Sequence, residues 1–225
     1  MITASQGASL TQLAYGPAPH DATALGFEVI AELYASDADG VTNYGFLATA
    51  PDGSAVAALR GTADAIEWVE DASVVMRTNP WGPGRLHGGF LALAASLGVG
   101  QAQSDLSSVL GALGAVSLAG HSLGAAMARL LSMRLRAARV SVDKVFTWGE
   151  PKSGDEAGAG WGIFCAAQQH RGVNERDLVP MVPEFVPLLF PYVHAVTETT
   201  LGKAGANPVA AHAMSTYLTL EKAIP

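Results

Sequence analysis

Residues Val116–Leu130 read VSLAGHSLGAAMARL, and the interpretation of this stretch decides the fold. Its first four residues are an apolar run with the composition of a buried strand. Gly120–Gly124 then spells GHSLG, and small residues open a helical pattern that continues through LSMRLRAA. Strand, sharp turn and helix in that order make a nucleophile elbow, which carries a serine at a strained turn where substrate can reach it. Ser122 takes that place. Gly120 and Gly124 flank it because strand and helix pass too close there for a larger side chain. The helix N-terminus supplies backbone donors and a positive dipole end, and the N–H of Leu123 is best placed to receive an oxyanion. A GxSxG match arises by chance in a chain with 25 glycines, where it marks an ordinary strand-to-helix turn. The apolar run before it and the helical run after it favour the elbow.

The rest of the chain fits one α/β core. Its 225 residues suffice for a single well-buried domain and are too few for two comfortable ones, so residues 1–225 are expected to form one domain. With 49% apolar and 15% charged residues, the composition is globular. A net charge of −7 speaks against nucleic acid as a partner, because phosphate binding wants a basic surface. One cysteine, Cys165, excludes an internal disulfide and any cysteine-built metal site. No uninterrupted apolar run approaches the ~18 residues of a membrane span. The opening MITASQGASL has neither a positive n-region nor an apolar h-region. This leaves an intracellular protein, one exported by another route, or the mature form of an exported one.

Along the chain, residues 9–34 carry helical spacing broken at Gly16, Pro17 and Pro19, with a second helical segment expected over 21–34. Residues 43–50 and 54–59 are strand-like and meet at the turn PDGS, so they read as a hairpin. The second strand ends in ALRGT. Its Thr62, with a backbone N–H and a hydroxyl, lies at a strand's carboxyl end, where open α/β sheets gather ligands. The following ADAIEWVEDA sets Ile66, Trp68 and Val69 among acids. Two readings stay open for it: a short amphipathic lid facing an acyl chain, or a surface helix with one packed tryptophan. Helices are expected near 91–97 and 104–113, strands over 140–148, 168–173 and 188–196, a loop over 202–212 and a closing helix over 214–223.

A serine hydroxyl is a weak nucleophile near neutral pH and needs a base, which needs an orienting carboxylate. In the elbow arrangement these follow in chain order serine, acid, histidine. That order removes His20, His87 and His170, and His121 is expected to point away from its neighbour across the elbow. His87 also lacks a partner at metal-ligand spacing and reads as a histidine hydrogen-bonding its loop. His194 sits where strand alternation would hold it against the sheet. His212, on a loop before the last helix, is free to be aimed at Ser122. Among acids, Asp143 precedes its strand and faces the wrong sheet edge, and Asp155 lies in a glycine-rich stretch. Asp177 follows a strand in a loop stiffened by Pro180 and Pro183, and is preferred.

These residues resemble the class 3 lipases, the fungal-type triacylglycerol lipase family within the α/β-hydrolases. The likeness runs from about Tyr44 to Tyr217. ALRGT resembles that family's oxyanion strand and EWVEDASV its lid segment. HGGF resembles its HxGF turn, GHSLGAA its serine motif, and TWGEPKSGD its TFGxPRxGN stretch. NERDLVPMVP resembles the acid loop, YVHAVTE the strand after it, and HAMSTY the C-terminal histidine region. The resemblance implies an α/β-hydrolase fold with a mostly parallel central sheet, helices on both faces and a short lid. It implies nucleophile Ser122, base His212 and acid Asp177. It further implies oxyanion donors at the N–H groups of Thr62 and Leu123, with the Thr62 hydroxyl assisting, and places His194 as a structural histidine. Ala125 stands where many members have glycine, and Glu150 replaces a usual glutamine. The chain is also shorter than the secreted fungal enzymes and lacks their disulfide cysteines.

The implied activity is hydrolysis of carboxylic esters through an acyl-enzyme, with no cofactor or metal and no HExxH or clustered ligands to suggest one. The expected partners are a lipid or small-molecule ester and, transiently, a lipid–water interface. Alternatives with the same triad are a short-chain esterase, a phospholipase A1 and a thioesterase. From another class, a binding module could keep the fold without the chemistry.

Overall fold

The computed structural model describes residues 1–62, 75–183, 191–194 and 196–224. Its frame is an eight-stranded sheet of β1 (Glu28–Asp37), β2 (Gly40–Thr49), β3 (Ala55–Leu59), β6 (Gly98–Val99), β7 (Val116–His121), β8 (Val142–Trp148), β9 (Gln168–Asn174) and β10 (Thr199–Gly202). The spatial order is β10-β9-β8-β7-β3-β2-β1-β6. From β3 to β10 every neighbouring pair is parallel, and β2 joins β3 and β1 antiparallel. A two-stranded ribbon, β4 (Met76–Thr78) with β5 (Arg85–His87), stands beside it.

The central parallel strands β3 and β7 are covered on both faces, so their residues are mostly apolar or small. AVAAL of β3 and VSLAGH of β7 are buried at every position. Alternation divides them between two cores. Ala55, Ala57, Leu59, Val116 and Leu118 face α2 (Gly88–Ser96), α3 (Leu106–Ala112) and α4 (Leu123–Ala137). Val56, Ala58 and Ala119 face α1 (Ala4–Leu13) and α7 (Met214–Lys222). Two short helices, α5 (Glu156–Ile163) and α6 (Pro208–His212), complete the described set. The expected mostly parallel sheet with helices on both faces is the observed architecture. Among the described residues, no helix is long and apolar enough to cross a membrane.

Three local expectations are corrected. The helix expected over 21–34 is not formed: Thr23–Leu25 make one 3-10 turn, and residues 28–34 belong to β1, which pairs antiparallel with β2 and bulges between Val29 and Ala31. The bulge interrupts strict alternation, and Ala, Glu and Leu are good helix formers that obscure it. Residues 202–212 are not wholly loop. Gly202 closes β10 and Pro208–His212 is α6, where the Asn207 side chain accepts from the Ala210 N–H at 2.9 Å and proline opens the first turn. In 188–196 the described residues 191–194 and 196 form no strand of the sheet, only a bridge from Val193 to Gly154.

Candidate active site

Ser122 sits between β7 and α4 with φ 57° and ψ −126°, a region L-residues rarely occupy. The surroundings over-determine it. Its N–H donates to Trp148 O at 3.0 Å, and its carbonyl accepts from Ala125 N–H at 2.9 Å. A Cβ on Gly120 would stand 2.2 Å from Gly124 O, and one on Gly124 would stand 2.5 Å from the carbonyl oxygens of Leu59 and Arg60. The first turn of α4 therefore rests on the end of β3. A Cβ on Gly61 would in turn come 2.8 Å from Ser122 Cβ, so the strand end carrying Thr62 lies against the serine.

The structure brings Ser122, His212 and Asp177 together. Ser122 Oγ lies 2.8 Å from His212 Nε2, and His212 Nδ1 lies 2.7 Å from Asp177 Oδ2. The Asp177 side chain is fully buried and that of His212 nearly so. Asp177 Oδ2 also accepts from the Tyr217 hydroxyl at 2.6 Å, and Oδ1 accepts from the Val179 N–H at 2.9 Å. An ionised carboxylate takes such donors readily and fixes the imidazole with its hydrogen on Nδ1, so that Nε2 can accept from the serine. Gly149, at φ 57°, leaves room for the pair. A Cβ there would meet Asp177 Oδ2 at 2.9 Å and His212 Cε1 at 3.0 Å.

Leu123 opens α4 directly after Ser122, and Thr62 follows Gly61, the residue beyond β3 that lies against Ser122. Thr62 Oγ1 is buried and has no hydrogen-bond partner among the described residues. A buried, unpaired hydroxyl is costly unless a ligand takes it up. Ile66, Trp68 and Val69, expected on the lid, lie outside the described residues.

The rejected candidates have other work. His194 Nε2 donates to Pro180 O at 2.8 Å, bracing the loop that carries Asp177, although it lies in no strand. Asp155 caps α5 by accepting from the Gly158 N–H and pairs with Arg85. Asp143 is the second residue of β8, at the amino edge of the sheet. His87 caps α2 and stacks on Phe90, and burial pushes its imidazole down to about 4. His20 meets Glu32, and His170 meets Glu221. Both ring nitrogens of His121 are engaged by Tyr15 and the His212 carbonyl rather than by Ser122. Among the described residues, no group of three or more His, Cys, Asp or Glu side chains could hold a metal ion.

Sequence reasoning missed Tyr217 and Asn174. The amide of Asn174, at the end of β9, donates to both Ala204 O and Ala211 O at 2.9 Å, tying the residue before His212 to the strand before Asp177. The usable signal for Tyr217 was a phenol on the buried face of a terminal helix, which needs a polar partner. Its hydroxyl is raised far above the ordinary tyrosine value, first by burial and then by the Asp177 charge.

The family model for class 3 lipases matches residues 56–186, more than half of the chain. The chain belongs to the class 3 lipase family. A lipase from Rhizomucor miehei is 33% identical over a stretch covering 62% of this chain and 39% of that one. The chain thus spans about two fifths of the length of the curated relative it matches. The fold is also that of a triacylglycerol lipase structure described as having a catalytic centre formed by a serine protease triad. The TM-score is 0.72 at 24% identity, covering 88% of this chain and 78% of that one. The lipase of Rhizopus microsporus var. chinensis superposes with a TM-score of 0.68 at 26% identity, over 88% of this class 3 lipase family member and 72% of that chain.

Proposed function

We propose that this protein is a serine carboxylic-ester hydrolase working as one domain, and within that class a lipase acting on acylglycerols. The observation that carries the reading is the series Ser122 Oγ, His212 Nε2, His212 Nδ1, Asp177 Oδ2, with both links under 3 Å and the serine in its strained elbow. Ser122 Oγ adds to the ester carbonyl while His212 Nε2 takes its proton. The oxyanion that forms accepts from the N–H groups of Leu123 and Thr62 and from the Thr62 hydroxyl. Collapse of the intermediate expels the alcohol, which leaves with the proton from His212. Water then adds to the acyl-serine by the same path and releases the acid, while Asp177 stays ionised throughout.

The surface around the site favours a water-insoluble ester. Leu178, beside Asp177, is 55% exposed, Met181 in the same loop 62%, and Val209 in α6 70%. Large apolar side chains left exposed on the two segments that carry Asp177 and His212 suit contact with a lipid surface.

Ser122→Ala is expected to lower kcat by about 10⁴-fold or more. Near-normal turnover by a folded Ser122→Ala protein would end the proposal. Rates on p-nitrophenyl esters of rising chain length, with triolein alongside, test the lipase assignment. Activity confined to the shortest esters, with triolein untouched, would replace lipase by esterase.

A further inference from the structure

His121 and Tyr15 form a hydrogen-bonded link that the catalytic reading leaves unused. His121 Nε2 lies 2.7 Å from the backbone oxygen of His212, and Nδ1 lies 2.6 Å from the Tyr15 hydroxyl. The Gly61 N–H donates to that same hydroxyl at 2.9 Å. A carbonyl only accepts, so Nε2 carries a hydrogen. Burial, together with the nearby His212 ring, holds His121 well below the ordinary histidine value, so the ring is neutral and Nδ1 must accept. Tyr15 therefore donates to Nδ1 and keeps a lone pair for Gly61. Every direction in the chain is fixed: Gly61 N–H to Tyr15 Oη, Tyr15 O–H to His121 Nδ1, His121 Nε2–H to His212 O.

The four residues come from four places. Tyr15 follows α1, Gly61 immediately precedes Thr62, His121 immediately precedes Ser122, and His212 ends α6. The His121 ring also packs against the His212 ring, with centroids 4.7 Å apart. We propose that Tyr15 and His121 are positioning residues that hold the oxyanion strand and the base in register about the nucleophile. The proposal rests on the catalytic reading of Ser122, His212 and Thr62 given above. Neither side chain is asked to touch substrate. Their effect comes from geometry, because oxyanion donors work only within a few tenths of an ångström of the developing charge.

The test uses Tyr15→Phe, which removes one oxygen and keeps the ring, and His121→Leu, which removes both ring nitrogens and leaves an apolar side chain with neither donor nor acceptor. Turnover of p-nitrophenyl butyrate and the rate of fluorophosphonate labelling are measured well below each variant's Tm. In Tyr15→Phe, kcat is expected to fall about 10–100-fold with KM little changed, and labelling to slow in parallel. The double variant is expected to lose little more than the worse single variant, since both cut one link. Losses that multiply, a change confined to KM, or a folded Tyr15→Phe protein with kcat within twofold of the parent would each overturn the proposal. A further measurement needs no variant. Nitrogen-15 shifts of His121 in the intact protein are expected to show a bare Nδ1 and a protonated Nε2, and a protonated Nδ1 would overturn the assigned directions. Failure of the catalytic reading itself is seen separately, as an unlabelled parent or an active Ser122→Ala control.

Discussion

Tyr217 and His212 donate to one and the same carboxylate oxygen, Asp177 Oδ2, at 2.6 and 2.7 Å. Two short donors on one oxygen hold the carboxylate at a fixed rotation, and the imidazole with it. Tyr217→Phe leaves Asp177 the Val179 and His212 donors but removes this brace. The Tyr217 oxygen also accepts the Asn174 N–H, which is left buried and unpaired. Urea denaturation is expected to show a loss of about 2 kcal/mol. At a temperature where the variant is folded, kcat should fall by no more than about tenfold, because removing one donor leaves the triad's own links in place. A loss as large as that of Ser122→Ala would mean that Tyr217 does chemistry rather than bracing.

Thr62→Val separates the hydroxyl from the backbone N–H. Thr62 Oγ1 has no hydrogen-bond partner among the described residues, so removing it breaks no hydrogen bond among them. Stability should hold or rise slightly while kcat falls on the order of 10²-fold. Equal stability loss and unchanged kcat would assign the hydroxyl to the fold instead. Thr62→Ser, which restores the oxygen, is expected to recover most of the rate.

Arg129 and Glu150 form a buried ion pair, with Nη2 to Oε2 at 2.9 Å and both side chains 3% exposed. Burial acts to raise the Glu150 carboxyl, and Arg129 outweighs it, leaving the group below the usual carboxylate range. Its contribution to stability is thus present above the unfolded-state value and lost as pH falls through the lower folded-state value. Arg129→Met strands the carboxylate and should cost about 3–5 kcal/mol near neutral pH. Burial then acts unopposed by that guanidinium, so the variant is expected to become less stable as pH rises past the ordinary carboxylate value. Arg129→Met/Glu150→Leu should recover much of the loss. Denaturation curves across pH for the three proteins check all of this.

His87 is held down to about 4 by burial, below its ordinary value of 6.5, and His121 and His194 are displaced the same way. Between those two values the unfolded chain binds more protons than the folded one. Stability must therefore rise with pH across that window and fall on acidification. Urea midpoints are expected to be lower at pH 5 than at pH 7. A flat profile would show these rings to be charged in the fold.

The elbow was legible because its signal is contiguous: an apolar run, GHSLG and a helical run are each local features, and both glycines prove sterically required. Chain order and the small number of histidines then narrowed the base to His194 or His212. What escaped notice is long-range or irregular. The Tyr15–His121 contact joins residues 106 apart, and that of Tyr217 with Asp177 joins residues 40 apart. No periodicity records such pairs. The five-residue α6 is too short to leave a period among its alanines, and the bulge in β1 scrambles the alternation that would have marked a strand.

The order of strands anchors the three groups of the proposed triad on ground of unequal firmness. Ser122 follows β7, flanked on both sides by parallel strands, whereas the segments that bring Asp177 and His212 to it leave the sheet from β9 and β10, and β10, with four residues, pairs with β9 alone among the described strands. Fraying begins at such a strand. Gentle warming should therefore silence this protein while its central strands stay folded, and cooling should restore it, with the imidazole leaving its post before the serine's turn gives way.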